Sequence, residues 1–445
     1  MKLENILGAV GNTPLVKLNR IGKDLKCNLY AKCEFLNPAG SVKDRIALRM
    51  IDEAEKSGRI RPGDTLIEPT SGNTGLGMAL AGAVKGYNVI ITMPEKMSRE
   101  KQVVLEALGA KIIRTPTEAA WDAPESHIGV ARKLQKELPR AHILDQYSNA
   151  ANPDAHFFGT GEEILRDLDG KVDMVVMGAG TGGTITGVAK RVKQANPKCV
   201  VIGADPIGSI LAGGDFVASY KVEGIGYDFI PDVLDRKLVD RWVKTNDRQS
   251  FLLALRLIRE EGLLCGGSSG SSLFAALQEA KNLEKGQNCV VLLPDGVRNY
   301  MTKFIEPKWM RENRFNVIQE IEGTVESLKK QREKLVCVDI DESCSEAIEK
   351  MREHGFSQLP VLSKGSLVGM LHEQDLLEFQ LTGQNVRATR VEAVMDRHVP
   401  SVGPKTPLTS VQELLLEYGC VVVTTDAFEP LFIVTNIDLI DRMAH

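Results

Sequence analysis

The sequence predicts an α/β protein built on a parallel sheet, followed by a smaller duplicated module. Two segments of the 445-residue chain repeat one pattern of strand, glycine-rich loop, helix and strand. Short apolar runs that alternate with amphipathic helices indicate βαβ units and therefore parallel strands. Two similar helix–strand–strand–helix units near the end of the chain indicate a second module with its own core.

The first copy of the pattern begins with a strand at residues 64–69 (DTLIEP). A glycine loop at 71–75 (SGNTG) follows, then a helix over about 76–85 and a strand at 88–94 (NVIITMP). This segment is predicted to form one βαβ unit.

The second copy begins with a strand at 173–177 (DMVVM), which leads into a glycine loop at 178–184 (GAGTGGT). A helix through 188–194 and a strand at 200–206 (VVIGADP) complete the unit, and a third strand at 289–296 (CVVLLPDG) extends the pattern.

The composition along the chain predicts three parts. Residues 1–310 carry the α/β pattern of a catalytic domain. A charged stretch at 311–334 is expected to be a solvated linker or a connecting helix. Residues 335–445 form the duplicated module, with repeats at about 335–385 and 391–445.

Composition also excludes several classes of protein. Hydrophobic residues make up 43% of the chain and charged residues 26%, an ordinary globular mixture. The net charge is −4, there is no basic tract, and aromatic residues make up only 5% of the chain. These features argue against nucleic-acid binding. No apolar run reaches the ~18 residues that cross a bilayer, and the start MKLENILGAVGNTPL lacks the pattern of a secretory signal. We therefore expect a cytoplasmic protein with no membrane or nucleic-acid partner.

Eight cysteines are scattered along the chain without a C-x-x-C pair. This spacing argues against a zinc ribbon and against a thioredoxin-type redox pair. We expect reduced thiols and no metal site.

Lys43 is the first candidate catalytic residue. It lies in the segment 37–45 (NPAGSVKDR), where Pro and Gly break the chain and Ser41 can cap the helix that follows. Lys43 would then lie in the first helical turn, whose positive end lowers the pKa of an amine. An amine of low pKa suits Schiff-base formation. The alternative is an ordinary surface lysine.

The loop at 178–184 is a candidate anion site, because small residues at a helix N-terminus expose N–H groups that favour a phosphate. It lacks the G-K-[ST] of a Walker A loop. However, Gly178, Gly180 and Gly183 satisfy G-x-G-x-x-G, and Asp205 follows at the distance of a ribose-binding acid. A nicotinamide-dependent oxidoreductase and a plain tight turn are therefore alternatives.

Two further loops of small residues are candidate binding segments. The loop at 71–75 could hold a carboxylate on its hydroxyl and amide groups. The loop at 266–270 (GGSSG) precedes a predicted helix. Three such loops around a parallel sheet, with a lysine at a helix start, predict a small polyanionic ligand in a shared cleft.

Four of these segments together resemble the fold-type II pyridoxal-phosphate enzymes of the β-replacement group: NPAGSVKDR, EPTSGNTG, GAGTGGTITG and LCGGSSGSS. The stretches at 32–45 (KCEFLNPAGSVKDR) and 222–231 (VEGIGYDFIP) resemble the cystathionine β-synthase family more than the cysteine synthases, which usually lack the pair Tyr227-Asp228. The duplicated tail resembles the regulatory Bateman module, a pair of CBS-type repeats, of the same family. The implied fold is two parallel-sheet βαβ subdomains followed by this module.

The resemblance implies pyridoxal 5′-phosphate as the cofactor. Lys43 would form the internal aldimine, Asn73 would hydrogen-bond the 3′-oxygen, and Ser268 would face the pyridine nitrogen. The residues that would bind the phosphate are Gly180, Thr181, Gly182, Gly183 and Thr184. A neutral hydroxyl at Ser268 would withdraw less electron density than an aspartate, which favours β-elimination.

The resemblance also implies a reaction, the condensation of L-serine with L-homocysteine to L-cystathionine. Lys43 would remove and return the α-proton. The residues that would hold the substrate carboxylate are Thr70, Ser71, Thr74 and Gln146. Tyr227, in a mobile loop with Gly224 and Gly226, would shape the side of the second substrate. A cysteine synthase, a serine dehydratase and the nicotinamide-dependent oxidoreductase stay open as alternatives.

The chain departs from some members of the family at its start. The catalytic pattern begins by residues 12–14 (NTP), which leaves no room for an N-terminal haem segment. We therefore expect no haem. The family also implies a homodimer.

Nucleotide-binding repeats of this type carry a glycine, a hydroxyl residue and an acid, and both repeats here are incomplete. The first has Gly369 but places His372 in the hydroxyl position. The second keeps Thr435 and Asp438 but places Phe432 in the glycine position, where a phenyl ring would fill the space of an adenine. We expect weak or absent regulation by S-adenosylmethionine.

Overall fold

The chain forms two units, Met1–Asn316 and Val317–His445. The computed structural model describes residues 2–70, 72–95, 98–116, 119, 123–315, 321–328 and 335–444. Among these residues, no helix is both long enough and apolar enough to cross a membrane.

A six-stranded sheet forms one half of the first unit. In spatial order its strands are β1 (Leu15–Lys17), β2 (Asn28–Cys33), β10 (Asn288–Leu293), β7 (Met174–Gly178), β8 (Val200–Pro206) and β9 (Arg241–Thr245). Neighbouring strands pair in parallel except β1, which is antiparallel to β2. Every residue of β10 is buried, as expected for a parallel strand covered on both faces.

A four-stranded parallel sheet forms the other half. In spatial order its strands are β5 (Lys111–Thr115), β4 (Asn88–Pro94), β3 (Thr65–Pro69) and β6 (Ala141–Ile143). Its core combines Ile46 and Met50 of the first helix with Leu66 and Ile91 of the sheet.

Helices and short turns connect these strands. The helices are α1 (Lys43–Lys56), α2 (Asn73–Lys85), α3 (Arg99–Ala107), α4 (His127–Glu137), α5 (Ala151–Ala155), α6 (Glu162–Asp167), α7 (Gly183–Ala195), α8 (Asp247–Glu261), α9 (Gly267–Glu279) and α10 (Pro307–Glu312). A π-helical turn, His156–Gly161, joins α5 to α6. The 3₁₀ turns are Ile6–Ala9, Glu34–Leu36, Arg236–Leu238, Ala280–Asn282 and Val297–Tyr300.

Both predicted βαβ units are present, because β3 pairs in parallel with β4 and β7 with β8. The helices begin earlier than predicted, at Asn73 rather than residue 76 and at Gly183 rather than residue 188. In both cases the last residues of the predicted glycine loop form the first turn of the helix.

The predicted loop at 266–270 differs most from expectation, since all of it except Gly266 belongs to α9. Close packing explains the small residues there. A Cβ on Gly270 would lie 1.7 Å from the Ser250 carbonyl oxygen, so α9 can approach α8 only with glycine at this position.

The second unit contains two three-stranded sheets, one in each repeat. The strands are β11 (Val338–Asp339), β12 (Gln358–Ser363), β13 (Ser366–His372), β14 (Ser401–Val402), β15 (Cys420–Thr424) and β16 (Pro430–Thr435). The helices are α11 (Cys344–His354), α12 (Glu373–Leu381), α13 (Leu408–Tyr418) and α14 (Asn436–Ala444), with 3₁₀ turns at Val325–Leu328, Val386–Ala388 and Val391–Ala393. Each repeat therefore has the predicted order of helix, strand, strand and helix.

The two repeats also correspond within their hairpins. Val361 pairs with Gly369 in the first repeat and Val423 with Phe432 in the second. Each hairpin shifts its register immediately after that valine. Phe432 therefore occupies the position of Gly369, as the sequence pattern predicted.

Part of the stretch expected to be a linker packs into the second repeat. Ile321 and Val325 are buried with Leu408 and Val411, and the Val325 N–H donates to the Thr406 carbonyl oxygen (3.0 Å). Residues 321–328 therefore belong to the core of the second unit rather than to a solvated linker.

Candidate functional site

Lys43 is the first residue of α1 and is half-buried. Its backbone N–H donates to Ser41 Oγ (3.1 Å), but the N-cap of the helix is Val42 rather than the predicted Ser41. Burial lowers the pKa of the Lys43 amine to about 8, while the charge of Asp295 opposes this shift. The shift has the predicted direction, and loss of hydration is its largest cause.

Asn73 opens α2 and contacts a buried carboxylate. Asn73 Nδ2 donates to Asp295 Oδ2 (2.8 Å), and Asn73 Oδ1 accepts from Asn299 Nδ2 (3.3 Å). The Tyr300 hydroxyl donates to the same oxygen of Asp295. Burial raises the pKa of Asp295, and the positive charge of Lys101 partly offsets that effect.

The predicted phosphate loop joins β7 to α7. Its residues, with those of the first helical turn, are Gly180, Thr181, Gly182, Gly183 and Thr184. The first N–H groups of a helix have no partner within it. A Cβ on Gly180 would lie 2.6 Å from the Gly224 carbonyl oxygen, and one on Gly183 would lie 1.8 Å from Asn152 Oδ1. The loop is thus a cradle of backbone N–H groups that only small residues can form.

Two buried side chains contact the hydroxyl groups of this loop. Asn152 Nδ2 donates to Thr181 Oγ1 (3.1 Å), and His156 Nε2 lies 3.2 Å from Thr184 Oγ1. Burial lowers the pKa of His156, and the nearby charge of Arg45 acts in the same direction. The imidazole is therefore neutral and can exchange a hydrogen bond with Thr184 without adding charge to the loop.

Ser268 lies in the first turn of α9 and is 2% exposed. Its carbonyl oxygen accepts from Ser272 Oγ (3.2 Å), and Ser272 Oγ accepts from the Gly178 N–H at the end of β7 (3.1 Å). The Gly266 N–H donates to the Asp295 carbonyl oxygen (2.8 Å). Hydrogen bonds thus connect the first turns of α9 both to the phosphate loop and to Asp295, which follows β10.

Thr70, Thr74 and Gln146 lie together beyond the carboxyl end of β3, and each is at most 2% exposed. Thr74 Oγ1 donates to Gln146 Oε1 (2.7 Å), and Gln146 Nε2 donates to a backbone carbonyl (3.2 Å). Thr70 Oγ1 accepts from the Gly72 N–H (3.2 Å). Ser71, the fourth predicted carboxylate-binding residue, lies outside the described residues.

The glycine-rich segment with Gly224, Gly226 and Tyr227 lines a cavity of about 600 Å³. Both glycines have positive φ, +86° and +80°, which residues with a side chain rarely adopt. The Gly226 N–H donates to the Ala179 carbonyl oxygen (2.8 Å), which joins this segment to the phosphate loop. The Tyr227 hydroxyl lies 3.4 Å from that of Tyr147.

A buried ion cluster adjoins the same cavity. Lys101 Nζ lies 2.7 Å from Glu223 Oε2, and Lys303 pairs with the other oxygen of Glu223. Burial alone would raise the pKa of Glu223, but the two lysines outweigh it and lower the pKa. Lys101 Nζ also lies 3.5 Å from the Tyr300 hydroxyl, so the cluster connects the cavity to the surroundings of Asp295.

Asp205 does not match a ribose-binding acid. It is fully buried at the end of β8, where its Oδ2 accepts from Lys244 Nζ (2.7 Å) and from the Ala212 N–H (3.0 Å). Because this oxygen is bound within the fold and the other is buried, the G-x-G-x-x-G match lacks the acid that a nicotinamide nucleotide needs.

Four candidates at the site were not predicted from the sequence: Asp295, Asn152, His156 and Tyr147. Asp295 could have been predicted from the sequence, because it closely follows a buried parallel strand, and ligands bind at the carboxyl ends of such strands. The other three carried none, since they belong to residues 147–161, which no motif covered and which only tertiary packing brings to the loop.

All eight cysteines are unpaired, and seven of them are buried. Burial raises the pKa of Cys33 and Cys265 to about 12, which makes these thiols unreactive. In the part of the chain that the structure describes, no group of three or more His, Cys, Asp or Glu side chains has the arrangement of a metal site.

Comparison with known proteins connects this site to a family. Residues 6–295 match the family of pyridoxal-phosphate dependent enzymes, and residues 325–382 and 391–445 match the CBS domain. A cystathionine beta-synthase of Dictyostelium discoideum is 52% identical over an alignment of 460 positions, which covers 98% of this chain and 92% of that protein. This chain belongs to the cystathionine β-synthase family.

Two further members support the assignment. The cystathionine beta-synthase of Rattus norvegicus is 54% identical over 398 residues, or 86% of this chain and 70% of that protein. The solved structure of an O-acetylserine dependent cystathionine beta-synthase from Helicobacter pylori is similar with a TM-score of 0.64 and 37% identity, covering 68% of this chain and 98% of that one. The predicted fold class and resemblance are confirmed, and the family's cofactor is pyridoxal phosphate. Membership excludes the nicotinamide-dependent oxidoreductase.

Proposed function

We propose that this chain condenses L-serine with L-homocysteine to give L-cystathionine, using pyridoxal 5′-phosphate between the carboxyl ends of its two parallel sheets. The main support for this proposal is the contact between Asn73 and Asp295. Asn73 follows β3 of one sheet, and Asp295 follows β10 of the other. This contact brings the ends of both sheets to one point. The charge of Lys43 acts on Asp295 and on His156 behind the phosphate loop, which supports a single centre.

The residues around this centre fit the cofactor. The phosphate would bind the N–H groups at the start of α7 and the hydroxyls of Thr181 and Thr184. Asn73 would donate to the phenolic oxygen with the second hydrogen of its Nδ2, and Ser268 would face the pyridine nitrogen. When bound, the pyridoxal ring serves as an electron sink for the negative charge that develops at the substrate Cα.

Lys43 would carry the cofactor and, once the substrate amine displaces it, would move the α-proton. A general base works best when its pKa lies near the working pH. Burial has brought the pKa of this amine to about 8, so a large share of it is neutral near that pH. The protonated amine would then return the proton to Cα after the thiolate has added.

The substrate carboxylate would bind to Thr70, Ser71, Thr74 and Gln146. The hydrogen bond from Thr74 to Gln146 fixes both side chains in advance of binding. The start of α2 adds free N–H groups and a favourable dipole for an anion. A carboxylate held there would fix the substrate Cα relative to Lys43.

Tyr227, with Gly224 and Gly226, would form the side of the second substrate. The cavity that this segment lines has a volume of about 600 Å³, within the range of sites that take small organic ligands. This space suits homocysteine better than sulfide, which needs far less. A cavity of this size admits homocysteine, as the proposed reaction requires.

The buried hydroxyl of Ser268 supports a β-replacement reaction. A neutral hydroxyl does not hold the pyridine nitrogen protonated as an aspartate would, so electron withdrawal by the ring is weaker. With the cofactor bound, negative charge at Cα would then be discharged by loss of the β-substituent.

Product analysis tests the proposal. The purified protein, supplied with pyridoxal 5′-phosphate, is given L-serine or O-acetyl-L-serine, each with L-homocysteine or with sulfide. We expect cystathionine from serine and homocysteine to form fastest, and the Lys43→Ala variant to form none. Faster formation of cysteine, or of pyruvate without a thiol, would replace the proposal by a cysteine synthase or a serine dehydratase.

O-Acetylserine as the first substrate is the second candidate, because the solved relative from Helicobacter pylori is described as dependent on it. The two reactions differ only in the leaving group at Cβ. The ratio of cystathionine formed from the two donors, with homocysteine held constant, decides between them.

We further propose that the protein works without haem, as a homodimer, and with weak or absent regulation by S-adenosylmethionine. Two packing features support the last point. A Cβ on Gly369 would lie 2.7 Å from Met395 Sδ, so the chain itself occupies the space next to this glycine. Phe432 takes the corresponding position in the second repeat. A Soret band or a monomeric mass by light scattering would contradict the first two points.

A further inference from the structure

A buried carboxylate contacts the proposed cofactor site without a role in the reaction described above. Asp295 is 1% exposed and follows β10. Its Oδ2 accepts from Asn73 Nδ2 (2.8 Å) and from the Tyr300 hydroxyl. Its Oδ1 is buried and has no hydrogen-bond partner among the described residues. Two donors that converge on a single oxygen indicate a strong acceptor.

The backbone of Asp295 joins the segments that lead to two other site residues. Asp295 forms an isolated β-bridge with Ser41, two residues before Lys43. Its carbonyl oxygen accepts from the Gly266 N–H (2.8 Å), two residues before Ser268. A Cβ on Gly266 would lie 2.1 Å from Asp295 Oδ1, so the carboxylate fits tightly against this glycine. The side chain therefore has little freedom to move.

This contact determines how the Asn73 amide is oriented. An ionised carboxylate only accepts hydrogen bonds, so Asn73 must turn its NH₂ group toward Asp295. Asn299 Nδ2, which donates to Asn73 Oδ1 (3.3 Å), favours the same orientation. A flipped amide would place two acceptors against each other at Asp295 and two donors against each other at Asn299.

We propose that Asp295 is a positioning residue, whose carboxylate fixes the Asn73 amide with its NH₂ group available to the phenolic oxygen of the cofactor. The inference rests on the proposed cofactor site. A donor at this position stabilises the phenolate form of pyridoxal phosphate over the neutral phenol. An amide free to turn would present Oδ1 instead and favour the phenol.

The test uses the two absorption bands of the bound cofactor, since the phenolate and phenol forms absorb at different wavelengths. Asp295→Asn keeps the shape of the side chain but removes its negative charge, so it accepts more weakly from Asn73 and holds the Asn73 amide less firmly. We expect the phenolate-to-phenol ratio at fixed pH to fall at least fivefold. Cofactor affinity, measured by tryptophan quenching of the apo protein, should weaken about tenfold, the size of one hydrogen bond to a charged group.

Asp205→Asn is the matched control. Asp205 also ends a strand of the six-stranded sheet, is fully buried and has one oxygen without a partner among the described residues, yet it does not contact Asn73. Its absorption ratio should stay within twofold of the wild type. Tyr300→Phe removes the other donor to Asp295 Oδ2 and should also leave the ratio within twofold.

An unchanged ratio in a folded Asp295→Asn protein overturns the inference, and so does an equal shift in Asp205→Asn. Thermal unfolding of the apo proteins shows whether each variant folds. If Asp295→Asn does not fold, Asp295→Ala, which places no new donor against Asn73, is expected to shift the ratio in the same direction. An unchanged ratio in Asp295→Ala would also overturn the inference. The bands do not depend on the product formed, so this result and the product assay can fail independently.

Discussion

Replacing Gly183 with alanine tests whether close packing builds the phosphate cradle. Gly183 begins α7, so helix propensity alone predicts that alanine stabilises the protein by about 0.5–1 kcal/mol. However, a Cβ there would lie 1.8 Å from Asn152 Oδ1 and 2.3 Å from Asn152 Cγ, far inside van der Waals contact. Because the two effects have opposite signs, the sign of the change in stability decides between them.

The magnitude follows from what Asn152 would lose by moving. Its Nδ2 donates to the Gln146 carbonyl oxygen (2.7 Å) and to Thr181 Oγ1 (3.1 Å). Two hydrogen bonds are worth about 1–3 kcal/mol, and overpacking costs about 1–3 kcal/mol. After the helix gain is subtracted, Gly183→Ala should lower the free energy of unfolding by about 1–5 kcal/mol. Cofactor affinity should also fall, because Thr181 loses its support.

Urea unfolding of the apo protein, followed by tryptophan fluorescence, measures this effect. All three tryptophans precede residue 310, so the signal reports on the first unit. Gly296→Ala is the control, since its Cβ would meet nothing closer than Phe35 Cβ at 3.5 Å and its φ is −97°. Its stability should stay within about 0.5 kcal/mol of the wild type. A Gly183→Ala protein as stable as the wild type, or with unchanged cofactor affinity, would refute the packing argument.

Three further predictions concern the reaction and its regulation. Because the pKa of Lys43 is lowered to about 8, its amine is protonated below that pH, and the rate of cofactor uptake by the apo protein should rise with pH with a midpoint near 8. A midpoint above about 10, the value for an exposed lysine, would show that burial does not act on this amine. Ser268→Asp should lower cystathionine formation at least tenfold, since a carboxylate would hold the ring nitrogen protonated; full turnover in this variant would refute the electronic argument. Titration with S-adenosylmethionine should show no micromolar binding by calorimetry and no several-fold activation, because Met395 packs against Gly369 and Phe432 replaces the second glycine.

The strands could be predicted more accurately than the helix starts, for a physical reason. The apolar runs of β4 and β8 end at turn residues, so their bounds, Asn88–Pro94 and Val200–Pro206, match the prediction. Glycine and serine usually indicate a loop, yet at Gly183 and Gly267 they form the first turn of a helix. Neighbouring groups leave no room for a Cβ there, which is a property of tertiary packing that no local pattern reveals.

The same distinction applies to the site. Lys43, Asn73 and Ser268 lie in short motifs, so the sequence was enough to propose them. Asp295 contacts Asn73 across 222 residues of sequence, and only the meeting of the two sheets creates that contact. His156 reaches Thr184 from a π-helical turn, whose irregular geometry is not encoded by hydrophobic periodicity.

Buried charges next to Lys43 explain how a desolvated lysine can be held in one place. Arg45, two residues further along α1, donates through Nε to Glu34 Oε2 (2.7 Å) and through Nη1 to Glu163 Oε1 (2.7 Å). The fully buried Lys32 pairs with the other oxygen of Glu163 (2.8 Å). Such a network adds little net stability, but any shift of one partner leaves a charge unpaired in the interior. The first turn of α1 is therefore restricted to one position, while the described residues give the Lys43 amine no hydrogen bond or ion pair. A fixed backbone with an unpaired amine is what a lysine needs if it is first to hold the cofactor and then to carry a proton.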